Sequence, residues 1–357
     1  MCIRDSLGML TARELASAGL AVTLLEQGDT GQESSWAGGG ILSPLYPWRY
    51  ADAVTALAGW SQHHYAELID DLIKVTGIDP EYTNNGLLIL EPGDEDQALA
   101  WAKKNQRTMK RLDRAESRDC EPALAIHPDS AIWMPQVSQV RNPRLARSVR
   151  RAIEGKVKIM EHSPVTGLTV SQDRISGVKI PSGCIKAERV LICAGAWTAG
   201  LLGNCATTPQ IKPVLGQMIL FNTKPQAIRR IVLHNDRYVI PRRDGRVLVG
   251  STLEQRGFDK TTTPDARESL RAYALDHFPV LQEAQIEHHW AGLRPGSPGG
   301  IPYIGAVAGV EGLYVNAGHF RNGVVLAPAS ARLMADIILN REPIIPPKPF
   351  ALGTPRE

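Results

Sequence analysis

The run Gly318-His319-Phe320-Arg321-Asn322-Gly323 constrains the local fold more than any other segment of the chain. It follows a short apolar run, Leu313 to Ala317, that reads as a strand, and it opens a helix-like run, Val324 to Leu339. A strand, a glycine-bracketed turn and a helix N-terminus together bring backbone N–H groups against an anionic or electron-rich ligand. Arg321, inside that turn, can aim its planar fork at a carboxylate. A second arginine lies in a similar setting upstream, in Trp290-Ala291-Gly292-Leu293-Arg294-Pro295-Gly296. A lone arginine is most simply a solvated surface residue. Two on Gly- and Pro-bracketed loops point to a site for a small acid.

The length of 357 residues allows two domains or one large two-lobed unit. A net charge of +3 is too mild to argue for nucleic acid or a membrane as partner. Arg150-Arg151 and Arg242-Arg243 read as solvated positions. The 5 cysteines, Cys2, Cys120, Cys184, Cys193 and Cys205, are odd in number and form no C-x-x-C pair. A reducing cytoplasm fits that pattern better than a disulfide framework. Cys193 reads as a small core residue. No apolar stretch is long enough to span a bilayer, and the N-terminus lacks a signal-peptide pattern. The expectation is a cytoplasmic protein.

Met9 to Ala18 reads as a helix stopped by Gly19, and Ala21 to Glu26 as a buried strand ending in an acid. Val54 to Val75 and Gln97 to Arg111 read as helices, and Gly86 to Leu90 as a strand. Pro143 to Glu154 reads as a helix with Asn142 as its N-cap. Short strands follow from Lys156 to Lys186. Arg189 to Ala194 is a continuous apolar run of the kind buried in a parallel sheet. Lys212 to Ser251 gives several strands, Ala266 to Phe278 a helix and Ile286 to Trp290 a strand. The fold class is α/β: a mainly parallel, Rossmann-like sheet built from the beginning, middle and end of the chain, with a more antiparallel sheet inserted. The segments are 1–83, 141–212 and 290–357 for a cofactor domain, and 84–140 and 213–289 for a substrate domain.

A dinucleotide-binding βαβ unit needs a first strand, a G-x-G-x-x-G turn and an acid about 20 residues on that holds the ribose. Glu26 supplies the acid, and Gly8 stands where the last glycine belongs. The first strand and first two glycines are missing from Met1-Cys2-Ile3-Arg4-Asp5-Ser6. The expectation is a sheet lacking a central member, and a native start upstream of these six or so residues.

Gly8 to Glu26, Glu33 to Pro44 (ESSWAGGGILSP), Ala194-Gly195-Ala196-Trp197, Trp290 to Pro295 and Gly318 to Gly323 recur in this order in one family. The chain resembles the glycine oxidase (ThiO) branch of the D-amino-acid oxidase flavoproteins, from Gly8 to the last helix. The resemblance implies noncovalent FAD, since the Arg-Pro turn is followed by no cysteine for covalent attachment. It implies that Glu26, with Gln27 beside it, holds the adenosine ribose and that Ser34 and Ser35 meet the pyrophosphate. Gly39, Gly40 and Ile41 would run beside the isoalloxazine, with Gly195 in the same cofactor shell. Val165 would contact adenine. His319, Phe320, Arg321, Asn322, Gly323, Val324 and Val325 would pass under the flavin's pyrimidine end, where a helix N-terminus favours negative charge.

On the substrate side the resemblance implies that Arg294 pairs with the carboxylate, Arg321 assists and Tyr238 supplies a hydroxyl. The reaction it implies is hydride transfer from a small amino acid such as glycine to the flavin. An imino acid forms and yields glyoxylate and ammonia, and molecular oxygen reoxidises the flavin to give hydrogen peroxide. That activity commonly feeds thiazole synthesis for thiamine. The cofactor carries the chemistry, so no side chain is nominated as general base. The family also implies a homo-oligomer. His288-His289 and His63-His64 are adjacent pairs with poor metal geometry, and no metal site is expected. G-x-S-x-G is absent. Two alternatives stay open: a related oxidase or dehydrogenase for sarcosine or a D-amino acid, and a truncated chain unable to hold FAD.

Overall fold

The computed structural model describes residues 2–3, 5–203 and 207–356, with side chains omitted at Cys2, Ile3 and Asp5. Met1, Arg4 and Cys205 lie outside the described residues. One sheet has six strands in the order Tyr303–Ala306, Leu313–Ala317, Val190–Cys193, Cys2–Ile3, Thr23–Leu25, Lys158–Met160. All neighbouring pairs are parallel except the first, which is antiparallel.

The central strand expected to be missing is therefore present. Cys2 pairs with both Ile192 and Leu25, and Ile3 pairs with Cys193. A strand this short is held because a neighbour on each side takes up its backbone groups. The argument for a chain unable to hold FAD rested on that gap. The first helix is correspondingly longer than the sequence indicates, Asp5–Ser17.

The first helix packs against the final helix, Gly323–Ile338, and the long helix Asp52–Thr76 joins them in the largest apolar core. Pro328 lies inside the final helix and has no N–H to give the carbonyl of Val324. The buried hydroxyl of Tyr65, on the long helix, donates to that carbonyl at 2.9 Å. The opposite face of the sheet is covered by the antiparallel strands Gly167–Ser171, Arg174–Ile180 and Gly183–Lys186.

The second sheet has eight strands in the order Gln285–Gly296, Lys212–Asn222, Arg246–Gly250, Arg237–Pro241, Ile231–His234, Leu87–Leu90, Ala131–Met134, Lys110–Leu112. Only Ile231–His234 and Leu87–Leu90 run parallel; the other pairs are antiparallel. One face packs on the helix Pro264–His277, where the Thr263 hydroxyl caps the Ala266 N–H. The other face, with Met218, Tyr238 and Ile240, turns toward Ile41, Leu45 and Tyr46.

Three local readings are corrected. The helix expected over Gln97 to Arg111 spans Glu95–Lys104 and gives way to the edge strand Lys110–Leu112. Gln106, at φ 53°, turns the chain between them. Asn142 does not cap its helix: Arg141 holds the cap position, and the Asn142 amide donates to the Ser35 carbonyl at 2.6 Å. Arg242 is not solvated but 8% exposed. Its guanidinium donates to the Gln139 side chain, to Val140 O at 3.0 Å and to Gly39 O at 2.8 Å, so its buried donors are satisfied.

Candidate active site

The central strands Cys2–Ile3 and Val190–Cys193 lead in opposite directions across the first sheet, and a crevice opens at their carboxyl ends. Open α/β sheets place their ligands at this kind of switch point. A cleft begins there and runs to the second sheet. Ser6, Cys193, Gly195 and Asn316 line its end at the first sheet, and Met218, Tyr238 and Arg294 its end at the second.

The loop Gly38 to Ile41 forms one wall. Val140 N donates to Gly40 O at 2.9 Å, and Leu42 N to Ser138 O at 2.9 Å, so the loop lies along residues 138–140. Gly40 has φ 81°, and a side chain there would collide with Val140 O. Arg242 and the Trp290 indole anchor the carbonyls of Gly39 and Ala37, the latter at 3.1 Å. Ser34 and Ser35 begin the short helix Ser34–Ala37, and the Ser35 and Ser6 hydroxyls lie 2.8 Å apart.

The opposite wall is the turn that the sequence singled out. Gly318 (φ 85°) and Phe320 (φ 45°) are both left-handed, and Ser297 Oγ donates to Gly318 O at 2.6 Å. His319 is 3% exposed, with Nε2 2.9 Å from Ser330 Oγ. Burial pulls its pKa from 6.5 down to about 3, so the ring is neutral near pH 7. Gly323 and Val324, in the first turn of the final helix, also line the cleft. Val325 does not; it is 1% exposed and belongs to the apolar core.

Arg294 projects into the cleft from the strand Gln285–Gly296. Its Nη1 donates to Thr252 O at 3.3 Å and its Nη2 to Ser251 Oγ at 2.5 Å. Burial lowers its pKa, the nearby Tyr238 opposes that shift, and the charge of Arg321 adds to it. Among the described residues no carboxylate pairs with it. Arg321 reaches the same cleft, but its Nη2 donates to Asp236 O at 3.0 Å and its Nη1 lies 3.3 Å from Asp236 Oδ1. The structure thus brings Arg294, Arg321 and Tyr238 to one end and Ser34, Ser35, Gly39, Gly40, Ile41 and Gly195 to the same cleft.

Gly8, Glu26, Gln27, Val165 and Asn322 do not line it. Gly8 is inside the first helix. Glu26 follows the strand Thr23–Leu25, is 3% exposed and accepts from Gly28 N at 3.0 Å. Ser163 N donates to Glu26 O at 2.7 Å, which sets the segment leading to Val165 beside it. Gln27 is exposed.

Two observations fit a bound dinucleotide. Asn316, which lines the cleft, has a buried Oδ1 without a partner, and both amide atoms of Asn322, 2% exposed in the adjoining turn, are likewise unpartnered. Such groups ordinarily meet a ligand or water. At Gly195 a side chain would meet nothing within 4 Å, so that wall faces open space. Among the described residues no group of three or more His, Cys, Asp or Glu side chains could hold a metal. No helix among them is long and apolar enough to cross a membrane.

Residues that the sequence reading missed fall into two kinds. Asp236 and Arg242 act through contacts with residues 85 and 203 positions away. Gly216 matters because of its cross-strand neighbour Arg294. No local pattern marks any of them.

A crevice at the switch point, buried unpartnered amides and an uncompensated arginine above them define a dinucleotide-dependent oxidoreductase acting on a small acid. The chain belongs to the FAD dependent oxidoreductase (DAO) family, whose model matches residues 6–337. It is 51% identical over 347 residues to the glycine oxidase of Pseudomonas aeruginosa, covering 97% of this chain and 95% of that one. Identity to the glycine oxidase of Pseudomonas putida is 49% with the same coverage. The crystal structure of glycine oxidase from Geobacillus kaustophilus superposes with a TM-score of 0.94 at 25% identity, covering 100% of this chain and 98% of that one. The fold is that of the DAO-family flavoenzymes, and FAD is the cofactor.

Proposed function

We propose that this protein is a glycine oxidase, converting glycine and similar small amines to the imino acid and then to glyoxylate and ammonia, with oxygen reduced to hydrogen peroxide. The observation that carries this reading is the buried Arg294 guanidinium, which has no carboxylate partner among the described residues. An uncompensated buried charge costs several kcal/mol, at about 3–5 when a partner is removed. A substrate carboxylate supplies that partner. Thr252 and Ser251 use two of the guanidinium's five donors and fix its plane, leaving others for a bidentate contact.

Tyr238 flanks the same locus, and its hydroxyl can reach a carboxylate held by Arg294. Met218, Leu45 and Ile41 give the site apolar walls, which favour the neutral amine over the ammonium. Bound FAD supplies the two-electron acceptor. Ser34, Ser35, the loop Gly38 to Ile41, Gly195 and the turn into the final helix would hold it, with Glu26 and the Val165 segment at its adenosine end.

The strong likeness to two glycine oxidases over 97% of the chain supports glycine over sarcosine or a D-amino acid. Relatives named bifunctional ThiO/ThiG proteins, at 29–30% identity, support a role in making the thiamine thiazole. The thiols of Cys120 and Cys184, which form no disulfide, suit a cytoplasmic setting. The cofactor domain expected at 1–83, 141–212 and 290–357 is better drawn at 1–83, 141–211 and 297–357, because Lys212–Asn222 and Gln285–Gly296 pair in the second sheet, and we expect a homo-oligomer. The test is peroxide formation with glycine, sarcosine and D-alanine, in the native protein and in Arg294→Lys. The reading requires glycine turnover and a loss of about a hundredfold in kcat/KM in the variant, about 3 kcal/mol. Turnover unaffected by Arg294→Lys would refute it.

A further inference from the structure

Two arginines face the cleft, and among the described residues only Arg321 has a carboxylate beside it. Arg321, whose side chain is 14% exposed, is engaged by Asp236 at both the carboxylate and the main-chain oxygen. Asp236 sits in the two-residue turn Asn235-Asp236 between Ile231–His234 and Arg237–Pro241, with both residues left-handed at φ 49° and 63°. Its N–H donates to Tyr46 Oη at 3.4 Å, which ties the turn to the loop over the cleft. The other nearby cation, Arg49, lies over the Tyr46 ring at 4.1 Å and is paired with Asp94 at 2.8 Å. Arg321 and Arg49 thus each have a carboxylate partner, and the buried Arg294 has none among the described residues.

We propose that Asp236 is a specificity-determining residue: by neutralising Arg321 it restricts the cleft to substrates bearing a single carboxylate. A substrate anchored on Arg294 would direct a second carboxylate, carried on its nitrogen or α-carbon, toward the rim. There it meets an arginine already engaged by Asp236 and an acid that repels it. With Asp236 neutral, Arg321 becomes a free second anchor, and dicarboxylic amines become competent substrates. This rests on the Arg294 reading above.

The test is Asp236→Asn, because asparagine tolerates the left-handed turn that Asp236 occupies. The quantity read is kcat/KM for iminodiacetate divided by that for sarcosine, two N-substituted glycines that differ in the second carboxylate. The expected result is a rise of about tenfold or more in Asp236→Asn. Asp236→Glu, which keeps the charge, holds the native ratio. The double variant Asp236→Asn/Arg321→Met loses the gain, which shows that the released arginine is its source. Flavin absorbance of each purified variant verifies that the cofactor site is intact. Should Asp236→Asn not retain flavin, Arg321→Met alone decides: the masked arginine predicts a native ratio, and a tenfold fall overturns the proposal. An unchanged or lowered ratio in a flavin-replete Asp236→Asn also overturns it. Failure of the underlying reading is separately visible, because sarcosine turnover would then be indifferent to Arg294→Lys.

Discussion

The guanidinium of Arg294 lies across Gly216, where an added Cβ would overlap its Nη1, Nη2 and Cζ atoms. The two residues are diagonal neighbours on adjacent antiparallel strands, since Arg294 opposes Val214 and Gly216 opposes Gly292. The missing side chain at 216 lets the fork lie flat, with its edge toward the cleft. Gly216→Ala must push the guanidinium aside. Overpacking of this kind costs about 1–3 kcal/mol, and about ten- to a hundredfold in kcat/KM is the expected loss. Bound flavin should be retained. Steady-state kinetics with glycine beside a visible spectrum measures both, and unchanged kinetics would show that the arginine does not need that surface.

Asn322 gives a prediction with opposite signs for two states. Both of its amide atoms are buried and unpartnered in the protein alone. Replacing it by leucine, of similar volume, removes an unsatisfied polar group, worth about 1–3 kcal/mol when desolvated. The flavin-free form should keep or raise its Tm. Flavin affinity should fall by about tenfold, the result expected of a cofactor that supplies the amide's partners. Equal destabilisation of both forms would instead mark Asn322 as a purely structural residue.

His319 makes stability depend on pH. Its pKa is held at about 3 by burial, against 6.5 when unfolded. Between those values the unfolded chain binds a proton that the folded chain does not, so stability is full above pH 6.5 and falls as pH drops toward 3. At pH 5 the loss is about 2 kcal/mol from this residue. Burial likewise lowers the His277 pKa, which acts in the same direction. Glu161 and Asp244, each held at about 2, add a separate loss below the ordinary carboxylate range. Tm measured from pH 7 to pH 5 should fall, and His319→Gln should flatten that slope. Activity near pH 7 should show no titration from His319, which is already neutral there.

Much of the cleft was legible from sequence because its parts are local patterns. The run Gly318 to Gly323 announces a strand-to-helix turn, and the Gly-rich run at 38–40 announces a close backbone approach. Arg294 and Tyr238 were recognisable through the order of motifs around them. What stayed hidden depends on pairing at a distance. No sequence pattern marks Asp236, and only the fold sets it against Arg321. Arg242 looked solvated because three acceptors that bury it come from other segments. The strand Cys2–Ile3 carries no apolar run of its own and is fixed by its two neighbours. Residues 97–111 have helical composition throughout, and the left-handed Gln106 divides them.

The central claim is that this chain holds FAD and oxidises a small amino acid whose carboxylate rests on Arg294. The most direct measurement is the visible spectrum of the purified protein, followed anaerobically as glycine is added. The account predicts a bound-flavin band that bleaches with glycine and returns when air is admitted. A flavin band indifferent to glycine, or a colourless protein that cannot be reconstituted with FAD, would contradict it.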